Sequence, residues 1–150
     1  MSLAELTQRW EHVRLGLLVT LEKFAPDELD YRPYPGAWSV RELILHVAQE
    51  EQGEFNHGLT QTLPAFPPAY DPRHYPDLPA LQALLASIHA PNLAYLQGLP
   101  DSDLDRLVHT PWGAEATVRQ MVEHLLEHEI HHRGELSLIL GLLGRAGLDA

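Results

Sequence analysis

Two histidines near the end of the chain have the spacing of a metal-binding pair. His128 and His132 lie four residues apart, in a stretch whose apolar residues recur every three or four positions, which predicts a helix. Residues at this spacing share one side of a helix, and His132 falls within the apolar side that faces the core. A single buried histidine usually bonds to a hydroxyl or a carbonyl, but two neutral imidazoles one turn apart can bind the same ion. The pair therefore predicts a metal site.

A protein-bound ion needs a third ligand, and His46 is the candidate. It lies at the border of the apolar side of an earlier predicted helix, and Glu50 follows one turn later. Its proximity to the C-terminal pair requires that the two helices be neighbours in the fold. Three histidines would leave coordination positions open for water and substrate, as in catalytic sites. Glu50 could act as a base, as a partner of His46 or as a fourth ligand, and we predict a catalytic role for it.

Composition limits the kind of ion. The chain of 150 residues has no cysteine, which excludes disulfides, thiolate metal sites and cysteine nucleophiles. Nitrogen and oxygen ligands suit a divalent Ni, Zn, Fe or Mn ion.

Charge and hydropathy limit the partners and the location. The formal net charge is −11 and Lys23 is the single lysine, so no basic patch is available for nucleic acid. No apolar run approaches the 18 or so residues of a membrane span, and the N-terminus has no cleavable signal pattern. We expect a cytoplasmic protein that contacts neither nucleic acid nor membrane.

The apolar periodicity predicts four helices, at about 3–24, 39–59, 78–96 and 116–143. Ser2 and Ser39 each precede a glutamate by three residues, which is the pattern of a capping box, and Asp77 and either Glu115 or Thr117 are the other expected starts. Pro91 is expected to kink or break the third helix. The connections 25–37, 60–77 and 97–115 contain no convincing strand.

Four amphipathic helices in one domain, 1–150, predict an all-α four-helix bundle. The proline-rich loop 60–77 is long enough to cross the length of the bundle, so helices 2 and 3 can run parallel. The expected order is up-down-down-up, with a pocket under this loop that could involve Tyr70 and His74.

The helix start WSVRELILH and the later segment HEIHHRG resemble the DinB superfamily, which includes YfiT-like proteins, and the similarity extends over essentially the whole chain. The resemblance implies a four-helix bundle, usually a homodimer, with a divalent metal on His46, His128 and His132. It also implies an activity that depends on a low-molecular-weight thiol, such as S-transfer from bacillithiol, glutathione or mycothiol to a small electrophile. Glu135 stands where the family often has glutamine, and it could orient His131 or His132.

Three functions remain open from the sequence. The first is a metal-dependent thiol S-transferase or hydrolase, and the second is a non-catalytic metal-binding stress-response protein acting as a homodimer. The third is a metal-free bundle whose histidines are hydrogen-bonded in the core. The sequence does not determine the roles of His57, His74, His131 and Glu135.

Overall fold

Each long helix begins after a polar side chain that accepts a hydrogen bond from the first turn. The computed structural model describes residues 1–148, so the last two residues of the predicted domain lie outside the described part. The helices are α1 (Leu3–Leu21), α2 (Val40–Glu51), α3 (Leu78–Gln97) and α4 (Val118–Leu142). Their capping residues are Ser2, Ser39, Asp77 and Thr117, with full capping boxes at the two serines and at Thr117.

Two apolar clusters show how the helices run. In one cluster the C-terminal halves of α1 and α4 (Leu17, Leu140) meet the N-terminal halves of α2 and α3 (Val40, Leu81). In the other, the N-terminal halves of α1 and α4 meet the chain after α2 and the end of α3. Helices α1 and α4 therefore run one way and α2 and α3 the other. This confirms the predicted up-down-down-up four-helix bundle, in which α2 packs between α3 and α4.

The second helix changes its winding before it ends. Gln52–Leu59 continues α2 as a π-helical segment, and it ends with a bond from the Thr60 amide to the Phe55 carbonyl five residues earlier. Gly53 lies on this segment directly under the ring of Phe66 from the 60–77 loop. The predicted extent of helix 2 was therefore correct, and the π winding of its last eight residues was not predicted.

The connection between α3 and α4 contains a hairpin that we did not predict. Strands β1 (Leu107–His109) and β2 (Glu115–Thr117) pair antiparallel, and Gly113 supplies a positive φ of 85° in the turn. Three-residue strands carry too little alternation to be recognised. The expectation of a connection without strands was wrong.

Pro91 does not break α3. The helix is continuous from Leu78 to Gln97. Proline removes the amide that would bond to the Ser87 carbonyl, but both residues are exposed, so water can satisfy that carbonyl.

A buried ion cluster, formed by Arg14, Glu51, His89 and Glu129, joins all four helices. Arg14 Nη2 lies 2.6 Å from Glu51 Oε2 and 2.5 Å from Glu129 Oε1. His89 Nδ1 lies 3.1 Å from Glu51 Oε1. Burial opposes the charge on Arg14, but the two carboxylates outweigh it and raise the pKa of the guanidinium, while Arg14 in turn lowers the pKa of Glu51 against its own burial.

Candidate metal centre

The candidate centre lies between α2 and α4. His46 extends from the middle of α2, and His128 and His132 extend from successive turns of α4, which packs against it. Their surroundings differ, because His132 is buried whereas His46 and His128 are partly exposed. The structure thus brings the three histidines of the sequence analysis to one place at the edge of the core.

The Nε2 atoms of the three imidazoles converge. His128 Nε2 lies 3.1 Å from His46 Nε2 and 3.0 Å from His132 Nε2. Nitrogen ligands at about 2.1 Å from one ion are about 3.0 Å apart at a right angle and about 3.4 Å apart at a tetrahedral angle. The donor set and its spacing therefore fit a divalent cation.

The imidazoles are held in the form that binds metal. Burial, followed by the charge of His132, lowers the pKa of His46 to about 4. Burial, with the neighbouring histidines, lowers the pKa of His128 to about 3, and burial also lowers the pKa of His132. All three rings are consequently neutral at pH 7, with lone pairs available for an ion.

Two carboxylates lie beside the outer nitrogens of these rings. His132 Nδ1 donates to Glu135 Oε2 at 2.6 Å, which leaves His132 Nε2 as the unprotonated atom. His131 is exposed and its Nε2 lies 3.5 Å from the other Glu135 oxygen. Glu50 Oε1 lies 3.8 Å from His46 Nδ1, beyond a hydrogen bond but within reach of a small side-chain rotation.

A tryptophan next to His46 lines two cavities. The Trp38 ring lies 4.3 Å from the His46 ring, centroid to centroid. On one side, a cavity of about 300 Å³ is bounded by Trp38, His46 and, from the 60–77 loop, Tyr70. On the other side, a cavity of about 490 Å³ is bounded mainly by apolar side chains and by Glu135. Room for a small molecule thus exists next to His46, under the loop, and next to Glu135.

Three further histidines lie outside the centre. His57 Nδ1 contacts the Leu63 carbonyl at 3.1 Å and so ties the π-helical segment to the following loop. His74 is exposed in a short 3₁₀ turn, Pro72–His74. His124, half exposed, faces Glu54 and the Trp112 ring.

A second group of ligand-type side chains, Glu51, His89 and Glu129, does not fit a metal. The Arg14 guanidinium already contacts both carboxylates and supplies the positive charge that an ion would bring. This arrangement was not predicted, because charged residues are expected on the surface. A signal was present, since Arg14 lies between Trp10 and Leu17 on the apolar side of α1.

The fold and the centre define a class of protein, the helical bundle with a three-histidine site between facing helices. The model of the DinB superfamily matches residues 9–136, and the chain belongs to this superfamily.

Relatives of known structure share the fold. YjoA of Bacillus subtilis strain 168, an uncharacterized protein, is 24% identical over 129 residues, which cover 85% of this chain and 81% of YjoA. The crystal structure of a DinB-like protein from Bacillus cereus ATCC 10987 aligns over 99% of this chain and 97% of that one, with a TM-score of 0.78 and 15% identity. YfiT from Bacillus subtilis aligns over 96% of this chain and 89% of its own, with a TM-score of 0.74 and 24% identity. YfiT is described as a probable metal-dependent hydrolase with an unusual four-helix bundle topology.

Within residues 1–148, no helix combines the length and the apolar character needed to cross a membrane.

Proposed function

We propose that this protein is a metal-dependent enzyme in which His46, His128 and His132 bind one divalent ion. The observation that carries the proposal is the convergence of three neutral Nε2 atoms at separations of 3.0 and 3.1 Å. A bound Ni, Zn, Fe or Mn ion would supply Lewis acidity and lower the pKa of a water or thiol bound to it.

Hydrolysis is the reaction class that the surrounding residues favour. A water nucleophile must lose a proton, and in our proposal the acceptor is the Glu50 carboxylate, which lies 3.8 Å from His46 Nδ1. Glu135 holds His132 in one tautomer and orientation. The two cavities beside Trp38 provide space for the apolar part of a substrate. The description of YfiT as a probable metal-dependent hydrolase supports the same class.

Thiol S-transfer is the second candidate. It is favoured by the resemblance to the thiol-dependent members of the superfamily and by the apolar wall that Trp38 gives to both cavities. In that reaction Glu50 would accept the proton of a low-molecular-weight thiol. The sulfur would then bond to a carbon of the small electrophile while the bond from that carbon to its leaving group breaks, and the leaving group would depart with the electron pair of that bond. We propose a homodimer for either reaction, on the same resemblance.

Elemental analysis of the purified, untagged protein tests the metal site. We expect about one divalent ion per chain in the wild type and almost none in His128→Ala/His132→Ala. His131→Ala is the matched control, because His131 is the exposed neighbour and should leave the metal content unchanged. Equal metal content in all three proteins, or no uptake by the wild type from added divalent ions, would contradict the proposal.

Substrate assays separate the two reactions. The metal-loaded protein is incubated with an activated ester or with a chromogenic electrophile, each with and without an added thiol. Ester cleavage without thiol supports hydrolysis, whereas consumption of the electrophile only in the presence of thiol supports S-transfer. His46→Ala should abolish either activity.

A further inference from the structure

Glu54 is a buried carboxyl group one turn after Glu50. The reaction proposed above gives it no role. It lies on the π-helical segment with 2% of its surface exposed. Its Oε1 lies 3.3 Å from His124 Nε2, while its buried Oε2 has no hydrogen-bond donor from the described residues. An ionised carboxylate with a buried oxygen left unpaired is costly, so the group requires an explanation.

The explanation lies one turn earlier, at Glu50. The two side chains lie one turn apart and close enough to interact, and two carboxyl groups so close to each other favour a proton on one of them. Glu54 is the deeper of the two, because its side chain is 2% exposed whereas that of Glu50 is 25% exposed. Burial, followed by the charge of Glu50, raises the pKa of Glu54 to about 8.

We propose that Glu54 is a positioning residue, which keeps its proton at neutral pH and donates its O–H to the Glu50 carboxylate. The bond holds the Glu50 side chain beside His46, with Oε1 3.8 Å from His46 Nδ1. Only the consequence for catalysis rests on the proposed function, in which Glu50 accepts a proton. The proposed protonation of Glu54 does not depend on that function, because it is argued from the burial of Glu54, its unpaired Oε2 and the neighbouring Glu50 carboxylate.

The elements packed around Glu54 give few competing charges. Glu50 approaches from its own helix and His124 from α4, and His124 is half exposed, so solvent weakens its field at Glu54. On β1 the titratable His109 is exposed. Helix α3 contributes the uncharged Asn92, which donates to Glu51 and accepts from Asn56. Among the described residues, therefore, Glu50 and His124 are the groups that set the state of Glu54.

Infrared spectroscopy of the metal-free protein at pH 7 tests the proton. Ordinary carboxyl groups are ionised at this pH, so a carbonyl band of a protonated carboxylic acid should come from Glu54. We expect the band in the wild type and in Glu11→Gln, an exposed control, and its loss in Glu54→Gln. Absence of the band from the wild type, or its persistence in Glu54→Gln, would overturn the proposal.

Stability against pH gives a second measurement on the same variants. The pKa of Glu54 is raised in the fold from an ordinary value of 4.5 to about 8, so the unfolded chain loses this proton first. Stability from this group is complete below pH 4.5 and is lost as the pH rises to about 8. The urea midpoint of the wild type should therefore fall relative to Glu54→Gln across that window. A constant difference between the two proteins would contradict a protonated Glu54.

The positioning role is tested by a pair of variants on the metal-loaded protein. Glu54→Gln keeps a hydrogen-bond donor towards Glu50, whereas Glu54→Leu removes it. We expect Glu54→Leu to lower kcat for ester cleavage by at least about tenfold, and Glu54→Gln to retain most of it and to remain active above pH 8. Equal losses in both variants would overturn the positioning role. If no metal binds at all, the proposed function fails while the infrared result still decides the state of Glu54.

Discussion

The hydrogen bond from His132 to Glu135 determines which nitrogen of His132 faces the other imidazoles. The Nδ1–H group donates to the Glu135 carboxylate at 2.6 Å, so the lone pair lies on Nε2, where the three rings converge. A carboxylate in this position also increases the basicity of the ring. This geometry resolves the choice that the sequence left open, since Glu135 bonds to His132 and has only a longer contact with His131.

Replacing Glu135 should weaken metal binding without abolishing it. We expect Glu135→Leu to lower metal affinity by about 10- to 100-fold, because His132 would lose the partner that fixes its tautomer and orientation. Glu135→Gln should lose less, since the amide oxygen can still accept the bond. Competition with a chromogenic chelator measures the change, and Glu127→Gln on the exposed side of α4 is the control. Equal affinities for wild type and Glu135→Leu would show that the bond is irrelevant to the metal.

Acid should destabilise the metal-free protein through His46 and His128. Their pKa values in the fold are about 4 and about 3, against an ordinary value of 6.5, so the unfolded chain binds more protons as the pH falls. Their contribution to stability is present above pH 6.5 and is lost as the pH drops towards 3. The urea midpoint of the wild type should fall more steeply across this window than that of His46→Asn/His128→Asn. Parallel curves would indicate that the rings are already protonated in the fold.

At the residue scale, the sequence identified groups whose spacing is itself informative. The one-turn spacing of His128 and His132 places both rings on one side of any helix, whatever the fold. Glu54 and Arg14 could not be assigned in this way, because their roles depend on burial by other helices. A charged side chain in isolation predicts exposure.

At the scale of elements, the π-helical segment places Gly53 where the 60–77 loop crosses α2. A Cβ atom at Gly53 would lie 2.1 Å from the Phe66 ring, a separation that no packed structure tolerates. The loop is also bound to the same helix by Gln49, which donates to the Pro67 carbonyl, and by Tyr70, which donates to Gln52. The position of the 60–77 loop against α2 therefore depends on the absence of a side chain at position 53.

Gly53→Ala should displace the loop and destabilise the fold by about 1–3 kcal/mol, as overpacking does. Gly141→Ala in α4 is the matched control, because nothing lies within 4 Å of its added Cβ; this change should be neutral or slightly stabilising. Thermal unfolding measures both. Phe66→Ala should remove the clash. Adding Gly53→Ala to Phe66→Ala should therefore reduce stability less than adding it to the wild type. A stable Gly53→Ala with an unchanged loop would contradict the packing.

Among the elements, too, local sequence patterns could be predicted, whereas features that depend on distant contacts could not. Helix starts could be predicted because a serine with a glutamate three residues later satisfies local hydrogen bonds, and both serine caps were correct. The π winding and the hairpin depend on contacts with other parts of the chain, such as Phe66 over Gly53. Local periodicity does not contain that information.

At the scale of the molecule, the topology could be predicted from loop length, since 60–77 allows α2 and α3 to run parallel. The buried ion cluster could not be predicted, although it contacts all four helices. Arg14 is 5% exposed and Glu51 and Glu129 are 1% and 2% exposed, so each charge depends on the others for compensation.

Arg14→Leu should be severely destabilising, by about 3–5 kcal/mol, because two carboxylates would remain buried without a cation. Replacing all three charges together, as Arg14→Leu/Glu51→Met/Glu129→Leu, should recover part of that loss, because Trp10, His89 and Asn92 would still lose their carboxylate partners. Urea unfolding of the metal-free proteins measures both changes, with Arg9→Leu on α1 as an exposed control. Equal stability of Arg14→Leu and Arg9→Leu would show that Arg14 does not compensate the charges of the two buried carboxylates.

The ion cluster also fixes how α2 and α4 are rotated about their own axes. In each helix, a cluster residue directly follows a residue of the centre, since Glu51 follows Glu50 and Glu129 follows His128. Consecutive side chains on a helix point about 100° apart, so a small roll of either helix would move both sets together. Because Arg14 contacts Glu51 and Glu129 at the same time, it opposes rotation of α2 relative to α4. The packing of the helices alone thus directs the three imidazoles to a common point, so we expect a divalent ion to bind there without rearrangement of α2 and α4.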